Sequence, residues 1–209
     1  MNSPRPEGKT VAGRTEHRRA QLIDTAYRLY LERGYRDVTI PDLAAAAGVS
    51  AGTVYNYFDN RRAVLAAVIE ERFAVAAREV LGEAPGAADT LEEFVDSVIG
   101  IGRRLQEFLS IETGMLRFAM FEAPAVDQDV FNQMLGINDQ ICMLWTDRLR
   151  DGMAKGFLRS DLDSEIMGRT LTWVIAGAAL GSLPGADIAP GDEMVQALAD
   201  LVRFGFGAV

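Results

Sequence analysis

Cysteine and histidine are nearly missing from this 209-residue chain, which has one of each, Cys142 and His17. One thiol cannot close a disulfide within the chain, and a structural zinc site needs about four Cys or His ligands. Neither framework fits, and no metal or cofactor is expected. Lysine is scarce as well: Lys9 and Lys155 stand among 21 basic residues, the rest arginine. Arginine's planar fork suits phosphate, although GC-rich codon usage would produce the same bias. Long apolar runs are absent too. The longest, near residues 170–186, is broken by Gly181, Pro184 and Gly185 and falls short of the roughly 20 residues that span a bilayer. The first 20 residues hold no apolar signal-peptide core. Two-residue alternation is nowhere sustained, so no sheet is expected. These absences predict a soluble, cytoplasmic, all-α protein that does not engage a membrane.

The composition that remains is 49% hydrophobic with a net charge of −9, ordinary for a globular chain and without global attraction for a polyanion. The charge is unevenly divided. Residues 1–62 hold ten basic and seven acidic side chains, a net +3, whereas residues 63–209 hold eleven and twenty-three, a net −12. A basic head on an acidic body places any polyanion partner at the head.

Periodicity and breakers divide the chain. Residues 1–13 carry two Pro and two Gly and are expected to form a disordered arm. Residues 14–62 form a first domain and 63–209 a larger helical one. A first helix is expected over Arg14–Arg33, its stripe including Leu22, Ile23, Ala26, Tyr27, Leu29 and Tyr30, and ended by Gly34 as a left-handed cap. Thr39, Pro41 and Asp42 spell a capping pattern for a short second helix ended by Gly48. Ser50 caps a third, with Val54 and Phe58 facing inward, and Arg61–Leu81 form a fourth. After a Gly/Pro/Ala break at 82–88, helical patterning continues over 89–109, 111–122, 126–155, 163–183 and 190–205, about nine helices in all.

Two short helices joined through Ala47-Gly48-Val49 form a helix-turn-helix. Gly48 takes positive φ at little cost, and Val49 is expected to plug the angle beside Leu43 and Val54. The second helix then exposes Ala51, Gly52, Thr53, Asn56 and Tyr57. Small residues admit the backbone to a groove, Thr and Asn can read base edges, and the helix start favours phosphate. Tyr55 and Tyr57 can bond phosphate oxygens.

The stretch Thr39-Ile40-Pro41-Asp42-Leu43-Ala44, then Ala47 through Arg61, resembles the signature of the tetracycline-repressor (TetR) family of bacterial transcription regulators. The likeness covers residues 14–65. It implies an all-α homodimer that binds double-stranded DNA through its first three helices. A C-terminal helical domain would bind a small-molecule effector and dimerise through the last two helices. The implied DNA contacts are Thr39, Ser50, Ala51, Gly52, Thr53, Tyr55, Asn56, Tyr57 and Arg61, with Arg61 standing where the family usually has Lys. A two-fold dimer implies a palindromic operator with half-sites about one helical turn apart. The implied action is repression relieved by an apolar or amphipathic effector, with activation as the alternative.

The second half is rich in Met and aromatics, which form core and also adapt to ligands. Phe94, Val98, Phe118, Phe121, Met134, Ile141 and Trp173 are the expected effector-lining residues. Gly168, Thr172 and Ala176 form one row of small residues, Gly177 and Gly181 another, and with the family resemblance they are the expected dimer interface. His17 reads as a solvated helix residue, Cys142 as a buried thiol, Glu92-Glu93 as a solvated face and Asp163 as an N-cap. Gly100-Ile101-Gly102 lacks the third glycine of a dinucleotide fingerprint. A helical enzyme or carrier, the rival reading, needs converging catalytic groups. The second half offers no His and one Lys, so no enzyme activity is expected.

Overall fold

A computed structural model describes residues 11–81, 88–112, 114–180 and 191–208. Regular structure among them is helical; the one β-type contact is an isolated antiparallel bridge between Leu158 and Gly207. None of these helices is long and apolar enough to cross a membrane. The chain divides into two compact units after Glu71, inside the fourth helix.

The first unit comprises α1 (Val11–Arg33), a 3-10 turn (Tyr35–Asp37), α2 (Ile40–Ala46), α3 (Ala51–Tyr55) and the start of α4 (Arg61–Leu81). Helix α1 begins before the expected position, so residues 11–13 continue the helix; the rest of the expected arm lies outside the described residues. Gly34 has φ 79° and ψ 154°. This is not the left-handed helical cap expected but an extended, positive-φ conformation open essentially to glycine alone. Leu22, Ile23, Tyr30, Leu43, Val54 and Leu65 are at most 1% exposed. Each such burial contributes roughly 1.5–3 kcal/mol. Burial also pushes the Tyr30 hydroxyl far above its ordinary pKa.

The second unit holds the end of α4, α5 (Leu91–Ile111), α6 (Met115–Arg117), a π-helical segment (Phe118–Glu122), α7 (Gln128–Ala154), α8 (Ser164–Leu180) and α9 (Gly191–Phe206). Side chains write the starts of these helices. The Thr90 hydroxyl accepts from the Glu93 amide at 3.2 Å. Asp127 accepts from the Asp129 and Val130 amides, both at 3.0 Å. Asp163 accepts from Glu165 at 2.9 Å and Ile166 at 3.1 Å, the N-cap role expected of it. The expected helix over 111–122 is instead broken at Glu112, and the Ala123 amide donates to Phe118 at 2.9 Å, the i to i−5 pattern of a π turn. The expected break near 183–185, like most of 82–88, lies outside the described residues.

Helices α7 and α8 run antiparallel. Arg150 pairs with Glu165 at 2.9 Å, and Arg169 pairs with Asp139 at 3.2 Å. Helices α5 and α9 are likewise antiparallel, Glu92 facing Arg203 and Gly102 facing Val195. The core between these pairs contains Phe94, Val98, Trp145, Leu149, Leu171 and Val202. The Glu92-Glu93 face is not merely solvated. Arg203 donates to both Glu92 oxygens at 3.0 and 2.9 Å, and Glu93 accepts from the Asp89 amide at 2.8 Å.

Candidate functional site

The turn between α2 and α3 is built from local signals. Thr39 and Asp42 form a reciprocal capping box: the Asp42 amide donates to the Thr39 hydroxyl at 3.3 Å, and the Thr39 amide to the Asp42 carboxylate at 2.9 Å. The Thr39 hydroxyl also donates to that carboxylate. These bonds hold the Asp42 carboxyl below its ordinary pKa. At the other end of α2, Gly48 (φ 67°) donates to Ala45 at 3.2 Å and Val49 donates to Ala44 at 2.9 Å. That bond pair is a Schellman motif, which satisfies the last carbonyls while reversing the chain. Ala47 is buried in the bend; Val49, the expected plug, is only half-buried.

Ser50 then starts α3, its hydroxyl accepting from the Thr53 amide at 3.1 Å and lying 2.9 Å from the Thr53 hydroxyl. Val54 and Phe58 are buried, as their spacing requires. This anchors one side of α3 and turns the other outward. Gly52, Asn56 and Tyr55 are exposed; Ala51, Thr53 and Tyr57 are half-exposed. A Cβ on Gly52 would meet nothing nearer than the Ser50 hydroxyl at 3.7 Å. The chain's own packing therefore does not require glycine there, whereas close approach of an outside surface would. α3 is shorter than its sequence pattern, ending at Tyr55 with Asn56 as its C-cap.

Seven of the nine expected DNA-contacting residues thus lie on one stretch, Ser50 to Tyr57, partly or fully exposed, and the exposed Thr39 caps the preceding helix α2. Arg61 differs. Its Nη1 donates to the Arg36 carbonyl at 3.1 Å and the Val38 carbonyl at 3.2 Å. Its guanidinium lies 4.4 Å from the Tyr35 ring centroid, a cation–π contact. Arg61 ties the start of α4 to the segment leading into Thr39. The expectation of a phosphate contact did not include this bracing role, because its partners lie 23 and 25 residues upstream. The Asn60 side chain accepts from the Ala63 amide at 2.9 Å, capping the start of α4.

The expected effector residues fall in three settings. Phe94, Val98 and Phe118 are fully buried, Phe94 packing 6.3 Å from the Phe157 ring. Met134 is half-buried. Phe121, Ile141 and Trp173 are exposed. Trp173 lines a shallow depression of about 470 Å³ with Ile166, Arg169, Thr170 and Val174, all on α8.

The expected dimer residues divide sharply. Gly168 faces α7: a Cβ there would sit 2.5 Å from the Thr146 hydroxyl and 3.0 Å from the Cys142 carbonyl. The buried Thr172 donates to the Gly168 carbonyl at 2.9 Å, and Ala176 is half-buried. Gly168 and Thr172 thus serve packing within the chain. Gly177 lies on the open face and Gly181 lies outside the described residues. Exposed on α8 are instead Ile166 and Trp173, and on α9 Leu201 and Phe204, the last 79% exposed.

Residues 22–68 match the family described as bacterial regulatory proteins, tetR family. The chain is 28% identical over 167 residues to the HTH-type transcriptional repressor KstR2 of Rhodococcus jostii, covering 75% of this chain and 77% of that one. A transcriptional regulator from Saccharomonospora viridis, solved with choline, superposes with a TM-score of 0.73 at 21% identity, covering 93% of this chain and all of that one. FadR of Bacillus subtilis, solved with stearoyl-CoA, gives 0.74 at 17% identity, covering 88% and 96%. A capped helix-turn-helix with an open second helix, matched over residues 22–68 to that family and followed by a helical body of the same fold as these regulators, makes the head of this chain similar to the tetR family of bacterial regulatory proteins.

Proposed function

We propose that the chain is a transcriptional repressor whose two-fold dimer grips a palindromic operator and lets go when a small molecule with an apolar part enters the helical body. The observation that carries this is α3: Val54 and Phe58 hold one side inward, while Gly52, Tyr55 and Asn56 stand open. An outward helix with small residues at its start fits a major groove. The effector acts through its differing affinity for the DNA-competent and DNA-released arrangements. The outer faces of α8 and α9, with Ile166, Trp173, Leu201 and Phe204 exposed, form the dimer contact in this reading. None of these four is among the small residues first expected there.

Fluorescence anisotropy against promoter duplexes from the chain's own genomic neighbourhood tests the proposal. One duplex should bind far more tightly than random DNA. Tyr55→Phe and Gly52→Ala should weaken binding to every sequence, whereas Asn56→Ala should change sequence preference. Equal affinity for all duplexes overturns the reading. Trp173→Asp and Phe204→Asp should yield monomers in sedimentation.

A further inference from the structure

The second unit is acidic, and most of its cations have acidic partners. Arg117, Arg150, Lys155, Arg159, Arg169 and Arg203 each contact a carboxylate within 4 Å. Arg148 and Arg104, both half-buried, contact no carboxylate within 4 Å among the described residues. The half-buried Arg148 of α7 lies 5.6 Å from the Trp145 ring centroid and reaches only the neutral Ser97 hydroxyl of α5, at 3.4 Å. Arg104 of α5 donates to the Val80 carbonyl at 2.6 Å and, weakly, to Leu81 at 3.5 Å. Its guanidinium folds back along α5, so that a Cβ on Gly100 would sit 3.3 Å from Nη1. Gly100 is one helical turn from Ser97, where Arg148 docks.

Burial, then the charge of Arg104, push the Arg148 guanidinium below its ordinary pKa. In a body with twice as many acids as bases, two mutually repelling cations with no carboxylate within 4 Å among the described residues make a locally positive spot.

We propose that Arg148, with Ser97 and Arg104, is the seat of an acidic head group, a carboxylate or phosphate, on an otherwise apolar effector. The proposal rests on the effector reading above and names its ligand class. Among the structural neighbours, one was solved with a cation and another with a CoA thioester; the arginines select the acidic kind. Arginine's fork matches both candidate head groups. An anion that recruits Arg104 also competes with the carbonyls at the end of α4, a helix that begins in the first unit.

Isothermal calorimetry on the full chain with decanoate, decyl phosphate, decan-1-ol and decyltrimethylammonium, all below micellar concentrations, tests this. At least one acid should bind about tenfold or more tighter than the alcohol and the cation, as a charge-assisted bond requires. Which acid prevails distinguishes carboxylate from phosphate. Arg148→Gln should erase the preference, Arg148→Lys should keep part of it, and the surface change Arg150→Gln should leave it intact. In a Trp173→Phe background Trp145 is the sole tryptophan, and its emission should respond to the acids.

Four probes binding alike, failure of both acids to bind, or an acid preference that survives Arg148→Gln overturns the proposal. If decan-1-ol releases operator DNA and the acids do not, the effector reading stands and the anion seat falls.

Discussion

The two units solve the same problem, packing helices, by different means. In the first, α2 and α3 are short and their ends are fixed by neighbours in sequence: Thr39 with Asp42, Gly48 with Ala45, Ser50 with Thr53. In the second, helices run to 27 residues and their pairing is fixed by residues far apart, such as Arg203 with Glu92, separated by 111 positions. Local bonding sets the turn between α2 and α3 from a few neighbouring residues. Distant pairing makes the body's seams depend on which surfaces its helices present to one another.

The sharpest way to break that contrast is to unfold one unit alone. Phe58→Ala removes a buried ring and should cost the head about 3–5 kcal/mol, abolishing DNA binding. Trp145 and Trp173 both lie in the second unit, so their emission should stay native. If it collapses along with DNA binding, the units do not fold separately.

Gly168→Ala should cost the body about 1–3 kcal/mol by overpacking the α7–α8 seam, with a drop in melting temperature independent of protein concentration. A concentration-dependent loss confined to dimerisation would return Gly168 to the interface.

Thr39→Ala should cost the head about 1 kcal/mol by removing a helix cap, measured in thermal unfolding. It should also change the acid limb. Thr39 holds Asp42 below its ordinary pKa, so this contribution is present above the unfolded carboxylate pKa and is lost as pH falls through the lower folded value. The variant should lose that dependence.

The smallest effect belongs to Glu92→Gln. The pair with Arg203 holds Glu92 below its ordinary pKa but stands in solvent. Its contribution should fade in the same acid direction and weaken with salt.

The head was largely legible before any coordinates. Caps, a turn glycine and a four-residue apolar spacing act over a few residues, so composition and order suffice to place α2, the turn and α3. Misjudgements there were of conformation, as at Gly34, or of long-range partners, as at Arg61. The body was legible as helices but not as a site. Seven residues expected around one effector split among the sealed core, a half-buried position and open surface, because apolar spacing shows that a helix has a face without showing what covers it.

The sequence by itself therefore determined the all-α architecture, nearly all helix limits and the open side of the reading helix, since these follow from backbone capping and from burial of nearby side chains. Only the tertiary structure decided that Gly168 and Thr172 turn toward α7 while Trp173 turns away, and that Arg148 meets Ser97 rather than an acid. Both choices depend on which surface a partner helix presents, and two rows on one helix are equivalent until that partner arrives.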